Sequence, residues 1–233
     1  MLSGEYYILD GAVGLAVPTR FGQSMTVEDG EGEHFFWKSL DEKGEIWFEG
    51  EFCTHTGTYL KGTDENVGKT LAEMFGLIQR YNYGFLISQG GNQITTKLDF
   101  PRNWGLGSSS TLIYNLATWM GIDPFMLSDE TLGGSGYDIA CAGVKHPILY
   151  QLEQGKPISQ KADFDPVFKE QLYFVHLGKK QNSRTGIKHY REKSATDKKE
   201  NIEQINLLTQ GMSNAITLLE FENLILQHET IIS

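Results

Sequence analysis

The stretch Pro101-Arg102-Asn103-Trp104-Gly105-Leu106-Gly107-Ser108-Ser109-Ser110 decides how the chain is read. It follows residues 93–100, which alternate as a strand does, and leads into residues 108–120, whose apolar spacing predicts a helix. A helix start leaves its first N–H groups without intrahelical partners and carries partial positive charge. Gly105 and Gly107 let the backbone approach a ligand, and three serines add donors. Such a turn is an anion cradle suited to phosphate. The same residues also suit an ordinary capped helix entered through a flexible turn, and only context separates the two.

Outward from this loop, Gly133-Gly134-Ser135-Gly136-Tyr137-Asp138 carries three glycines just before an aspartate. A tight, backbone-exposing turn there presents Asp138 into a cleft, or else Asp138 caps the short helix expected over residues 138–143. Upstream, residues 6–9, 13–17, 21–27, 34–37 and 45–48 are short apolar stretches broken by glycine, the pattern of an antiparallel sheet or meander. Asp64 then caps a helix in which Val67, Leu71, Met74, Phe75 and Ile78 recur at helical spacing to about Tyr81. Asp123-Pro124 starts another helix, and residues 147–152 and 157–161 read as strands. A boundary falls near Asp163-Phe164-Asp165-Pro166 and divides the chain into 1–165 and 166–233. Beyond it, residues 171–177 read as a buried strand. Residues 201–227 read as mostly helix, with Ile205, Leu208, Met212, Ile216 and Leu219 on one stripe.

Several function classes are excluded. With 20 Lys and Arg against 30 Asp and Glu the chain carries a formal charge of −10, and its one basic stretch, residues 188–199, is interrupted by Glu192 and Asp197. Nucleic-acid binding requires a basic footprint and is not expected. No apolar run reaches the roughly 18 residues that span a bilayer and no signal peptide opens the chain, so no membrane partner and a cytoplasmic location are expected. Cys53 and Cys141 stand 88 positions apart without metal-ligand spacing, and the six histidines do not pair at helical spacing. Gly62 to Thr70 imitates a nucleotide-binding P-loop but has five residues between its glycines where that motif has four; it reads as a helix start.

Taken in order, three segments resemble the GHMP kinases, the family of galactokinase, homoserine kinase, mevalonate kinase and phosphomevalonate kinase. Gly4-Glu5-Tyr6-Tyr7-Ile8-Leu9-Asp10-Gly11-Ala12, followed by Leu15-Ala16-Val17-Pro18, resembles the family's first motif. Pro101 to Ser110 matches its Pro-x3-Gly-Leu-Gly-Ser-Ser phosphate loop, and Gly134-Ser135-Gly136-Tyr137-Asp138 is similar to the segment holding the catalytic aspartate. The mevalonate and phosphomevalonate kinase branch is the nearest in flavour, in particular homologues with the Gly-Tyr-Asp-Ile-Ala string of residues 136–140.

The resemblance implies an α+β, two-domain fold: an N-terminal ATP-binding domain with a left-handed βαβ unit and a partial, ferredoxin-like C-terminal domain. It implies ATP and Mg²⁺ as cofactors and phosphoryl transfer to a small-molecule alcohol or phosphate, mevalonate- or phosphomevalonate-like. Gly105, Leu106, Gly107, Ser108, Ser109 and Ser110 would bind the nucleotide, Ser109 would ligate Mg²⁺, and Asp138 would be catalytic. Glu5, Ser183 and Arg184 would lie at the acceptor. A diphosphomevalonate decarboxylase-like enzyme and a nucleotide-binding protein without turnover are the alternatives, and a homodimer is left open. Three departures qualify the match. No lysine precedes the Gly-Glu segment. Leu127 stands where mevalonate kinases place a glutamate that binds Mg²⁺, leaving Glu130 or Asp129 as substitutes, and the family's C-terminal glycine-rich loop has no counterpart after Gly186. On this reading the chain is truncated at both ends.

Overall fold

A computed structural model describes residues 1–178, 183–192 and 198–232, with Ser183 and Arg184 described by their backbone alone. The strands are β1 (Gly14–Ala16), β2 (Gln23–Glu28), β3 (His34–Leu40), β4 (Ile46–Cys53), β5 (Tyr59–Gly62), β6 (Gln93–Leu98), β7 (Ile148–Glu153) and β8 (Lys156–Lys161). The helices are α1 (Glu65–Tyr81), α2 (Ser108–Met120), α3 (Pro124–Thr131), α4 (Tyr137–Ala142), α5 (Ser183–Glu192), α6 (Lys198–Asn214) and α7 (Leu218–Ile232). They divide into two compact units, Thr19–Gly133 and the discontinuous pair Met1–Pro18 with Gly134–Ser233.

In Thr19–Gly133 a five-stranded sheet runs in the order β2-β6-β3-β4-β5, with β3 and β6 parallel and the other pairs antiparallel. Period-two patterning buries Phe35 and Trp37 of β3, Phe48 and Phe52 of β4, and Ile94 and Leu98 of β6. Helix α1 covers this face with Leu71, Met74, Phe75 and Ile78. The Phe75 ring lies 5.0 Å from Phe35, 5.1 Å from Phe52 and 5.8 Å from Trp37, so one helix residue joins two strands. Buried polar atoms on the same face are satisfied: Trp37 Nε1 and the Thr96 hydroxyl both donate to Ser39 Oγ. Asp64 caps α1 by accepting from the N–H groups of Asn66 and Val67, and Lys69 pairs with Glu65 one turn away. The P-loop imitation is thus a helix start, as its spacing indicates.

In the other unit β1, β7 and β8 form an antiparallel sheet, and a core of Leu15, Ala162, Phe164, Phe168, Leu208, Met212, Ala215 and Phe221 joins it to α6 and α7. Buried polar bonds tie the first residues to those helices: Ser3 and Thr209 share a hydroxyl bond at 2.7 Å, and Val13 N–H donates to Asn206 at 2.7 Å.

Three local expectations are corrected. Residues 6–9 form no strand; a 3₁₀ turn, Tyr7–Asp10, replaces it between Gly4 at φ 86° and Gly11 at φ 94°, which end the extended path on either side. Residues 171–177 are not a strand either: Gln171 ends a 3₁₀ turn, Tyr173, Phe174, Val175 and Leu177 are exposed, and among the described residues no strand offers them a ladder. The long C-terminal helix breaks at Ala215, so Ile216 and Leu219 leave the stripe and become exposed, while Phe221 and His228 of α7 turn inward instead. Beyond β8 the described residues hold α5, α6 and α7 and no strand.

Phe75→Ala removes the ring that joins β3, β4 and α1. It is expected to cost about 3–5 kcal/mol of stability, read from urea unfolding.

Candidate active site

The phosphate-loop candidate belongs to the Thr19–Gly133 unit. Its ends are anchored by stacking and hydrogen bonds. The Arg102 guanidinium lies 3.6 Å from the Trp47 ring centre, Trp104 meets Phe21 edge-on at 5.9 Å, and Thr111 and Asn115 of α2 both bond to Gln23. Between the anchors Gly105 and Gly107 adopt φ 76° and 74°, a region that side chains with a Cβ rarely enter. A Cβ at either position would meet no atom within 4 Å, so both glycines border open space. Gly107 is also the N-cap residue of α2, and no side chain caps that helix. Because the N-cap residue is a glycine, it offers no side-chain oxygen to the first N–H groups of α2, and the helix start with its partial positive charge lies at Ser108, Ser109 and Ser110. Ser108 and Ser109 are half-buried and Ser110 is buried.

The Asp138 candidate belongs to the other unit. Gly136 at φ 77° forms the N-cap of α4 without a side-chain bond, so Asp138 sits in the first turn and does not act as the cap. The Tyr150 hydroxyl donates to the Ser135 carbonyl and Ile187 of α5 packs near Gly134, which fixes the loop that presents the aspartate. The Asp138 side chain reaches solvent, yet protein surrounds it closely enough that lost hydration raises its carboxyl above the ordinary value. The adjacent Tyr137 hydroxyl opposes this by hydrogen bonding to the carboxylate. Tyr137 is itself pushed far up by burial and then by the charge of Asp138, so it stays protonated and able to donate. One turn on, burial pushes the Cys141 thiol up to about 11 and keeps it neutral at pH 7.

Glu5 lies in the same unit, near enough for its charge to act on Tyr137. It begins a γ-turn: Tyr7 N–H donates to the Glu5 carbonyl at 2.7 Å, and Tyr6 between them has φ 60° and ψ −45°. A bulky residue held there stores about 1–3 kcal/mol of strain that its surroundings must over-determine. They do so from α5 and α6. Tyr6 stacks on Tyr190 at 5.8 Å, Tyr7 meets the same ring edge-on at 5.3 Å, and the Tyr6 hydroxyl lies so close to Gly186 that any side chain there would collide. Tyr190 donates to Asp10 at 2.5 Å and Lys198 pairs with Asp10 at 2.8 Å. Burial pushes the Asp10 carboxyl up, but the bonds from Lys198 and Tyr190 outweigh it and leave the group below its ordinary value.

Ser183 and Arg184 open α5, but their side chains lie outside the described residues, as does Asn182. The described residues contain no cluster of three or more His, Cys, Asp and Glu suited to hold a metal ion. Glu130 is already engaged, with Arg80 at 3.1 Å on one carboxylate oxygen and the Tyr81 hydroxyl on the other. Among the described residues no helix is long and apolar enough to cross a membrane.

No protein-family model matches the sequence, and no curated protein matches it. Solved structures do match. A Methanococcus jannaschii mevalonate kinase aligns at TM-score 0.67 and 12% identity over 99% of this chain and 75% of its own. A Streptococcus pneumoniae phosphomevalonate kinase in complex with phosphomevalonate and AMPPNP aligns at TM-score 0.64 and 11% identity, over 99% and 76%. The L. major mevalonate kinase bound to R-mevalonate aligns at TM-score 0.60 and 11% identity, over 99% and 72%. The chain thus has the α+β fold that GHMP kinases share, as its three motifs imply.

Sequence reasoning missed Tyr137 as the hydroxyl beside Asp138, and Asp10, Tyr190 and Lys198 as the brace behind Tyr6. Tyr137 could have been found from its place in the Gly-Tyr-Asp string; the brace joins residues about 180 positions apart and left no local signal. Because the folded state raises the Asp138 carboxyl, ionised Asp138 costs stability above the ordinary value of 3.8, and the cost disappears as pH falls below it. Asp138→Asn is expected to raise the melting temperature at pH 7 and to give no gain near pH 3, by thermal unfolding at both.

Proposed function

We propose that this chain is an ATP-dependent kinase acting in the cytoplasm on a mevalonate- or phosphomevalonate-like acceptor. The observation that supports it best is the open, uncapped start of α2 behind Gly105 and Gly107, in a fold that known kinases of such acceptors share. In this reading the backbone N–H groups of residues 105–110 hold the nucleotide phosphates, and Ser109 adds one oxygen to the Mg²⁺ shell. Bound Mg²⁺–ATP supplies the phosphoryl group and neutralises its charge. The protein's part is positioning and electrostatics rather than covalent chemistry.

Asp138 accepts the hydrogen bond or proton of the acceptor hydroxyl. Its raised carboxyl suits that role, since a stronger base than an ordinary carboxylate takes the proton more readily. Tyr137 orients the carboxylate by donating to it, and Glu5, Ser183 and Arg184 contact the acceptor, the arginine suiting an acidic one.

A coupled assay of ADP release against mevalonate, phosphomevalonate and related alcohols tests the reading, with CO₂ measured alongside to detect decarboxylation. Asp138→Asn is expected to lower kcat by about 10²–10⁴-fold while ATP–Mg²⁺ still raises the melting temperature. Unchanged turnover in that variant would remove Asp138 from the mechanism. The base must be ionised, so the wild-type rate is expected to fall on the acid side with a midpoint above 3.8.

Gly107→Ala separates binding from folding. Its Cβ enters open space, so it costs only the left-handed backbone, about 1–2 kcal/mol. It is expected to weaken ATP by at least about tenfold, measured by calorimetry, because the methyl occupies the cradle.

A further inference from the structure

His228 of α7 is 2% exposed, and its Nε2 accepts the backbone N–H of Gly4 at 2.9 Å. An imidazole that accepts at Nε2 carries its proton on Nδ1. That Nδ1 is buried with no hydrogen-bond partner among the described residues, the Glu229 carboxylate standing 3.6 Å away. As core packing this is a poor choice, since a buried donor left unmatched costs more than an apolar side chain of similar size. What the histidine does supply is an acceptor for one particular N–H.

That N–H lies immediately before the strained turn. Gly4 has φ 86°, and a Cβ there would lie 2.8 Å from Gly14 Cα, so its backbone is pressed against β1. Its carbonyl accepts the Ile8 N–H at 2.9 Å, across the γ-turn of Glu5, Tyr6 and Tyr7. Both polar groups of Gly4 are therefore used, one inside the turn and the other by His228. Ser3 next to it is fixed by Thr209 of α6 at 2.7 Å and by the Leu15 N–H at 3.0 Å. Tyr6 is fixed from α5, and Gly4 from α7. Glu5 is the exposed residue between these two points of attachment.

We propose that His228 is a positioning residue of the acceptor site. By holding the Gly4 N–H, the C-terminal helix sets the conformation of the Gly4-Glu5-Tyr6 turn and hence the place from which Glu5 meets the acceptor. This rests on the kinase reading with Glu5 at the acceptor.

Two substitutions test it in the full chain. His228→Gln keeps an acceptor oxygen at similar reach; His228→Leu keeps the volume without one. Two readouts are taken, amide hydrogen exchange at Gly4 by NMR, and the KM values for acceptor and for ATP. For His228→Leu, Gly4 exchange is expected to accelerate about tenfold while the Asn206-bound amide of Val13 is unchanged, and the acceptor KM is expected to rise about tenfold with the ATP KM within twofold. His228→Gln is expected to restore both toward wild type. If His228→Leu does not fold, His228→Asn, whose amide is too short to reach Gly4, takes its place. Unchanged Gly4 exchange, or equal losses in both KM values for the Gln and Leu variants, overturns the proposal and leaves a structural core residue. Wild-type protein that turns over no acceptor overturns the kinase reading instead, and Gly4 exchange then still decides whether His228 holds the turn.

Discussion

A hydroxyl bond between Ser3 and Thr209, 206 positions apart, belongs to the set of contacts on which one whole unit of this protein depends. The first eighteen residues contain only one three-residue strand and a 3₁₀ turn, too little to bury a core of their own. They are ordered by what the last hundred residues offer: β7 as ladder partner for β1, Asn206 for Val13, Thr209 for Ser3 and His228 for Gly4. Leu15 enters the same core as Met212 and Phe221. Among the described residues of this unit, His228 Nδ1 is the one buried side-chain nitrogen or oxygen without a hydrogen-bond partner, and each bond is modest by itself. Their joint effect is to hold a backbone that would otherwise relax, the γ-turn at Tyr6.

Strain of that kind is kept where a chain must present a group in one direction, and Tyr6 sits beside an exposed glutamate. The Asp138 loop uses different means to the same end: three positive-φ glycines, an α4 that begins without a side-chain cap, and a carboxylate whose hydration the protein reduces. The turn at Gly105 and Gly107 is a third solution, in which the helix start is left open. In all three, local stability is given up so that a polar group faces outward in fixed geometry. The aromatic core around Phe75, with no such demand on it, follows its period-two and helical patterning without exception.

Most of the secondary structure was legible because its signals are local. Asp64 and Asp123 cap as their sequence positions indicate, α2 begins and ends where its residues indicate, and β6 alternates as written, whereas β3 and β4 run past the apolar stretches 34–37 and 45–48 and β5 matches no expected strand. Two of the failures have a common cause. Residues 6–9 and 172–177 have the apolar, aromatic content of strands, but a strand exists only where a neighbour accepts its ladder, and propensity carries no information about the neighbour. The stripe through Ile216 and Leu219 failed because one break at Ala215 resets the phase of everything after it.

By itself, then, the sequence determined the class of fold and the two glycine loops, because positive-φ turns, caps and periodicity are written in neighbouring residues. Only the tertiary structure decided that Asp138 is not a cap, that Glu130 is already taken by Arg80 and Tyr81, and that Tyr190, Lys198 and His228 act on the first ten residues. Apart from the start of α4 at Gly136, those facts concern contacts across 49 to 224 positions of chain, and such distances are closed by packing, which no local pattern of residue types encodes.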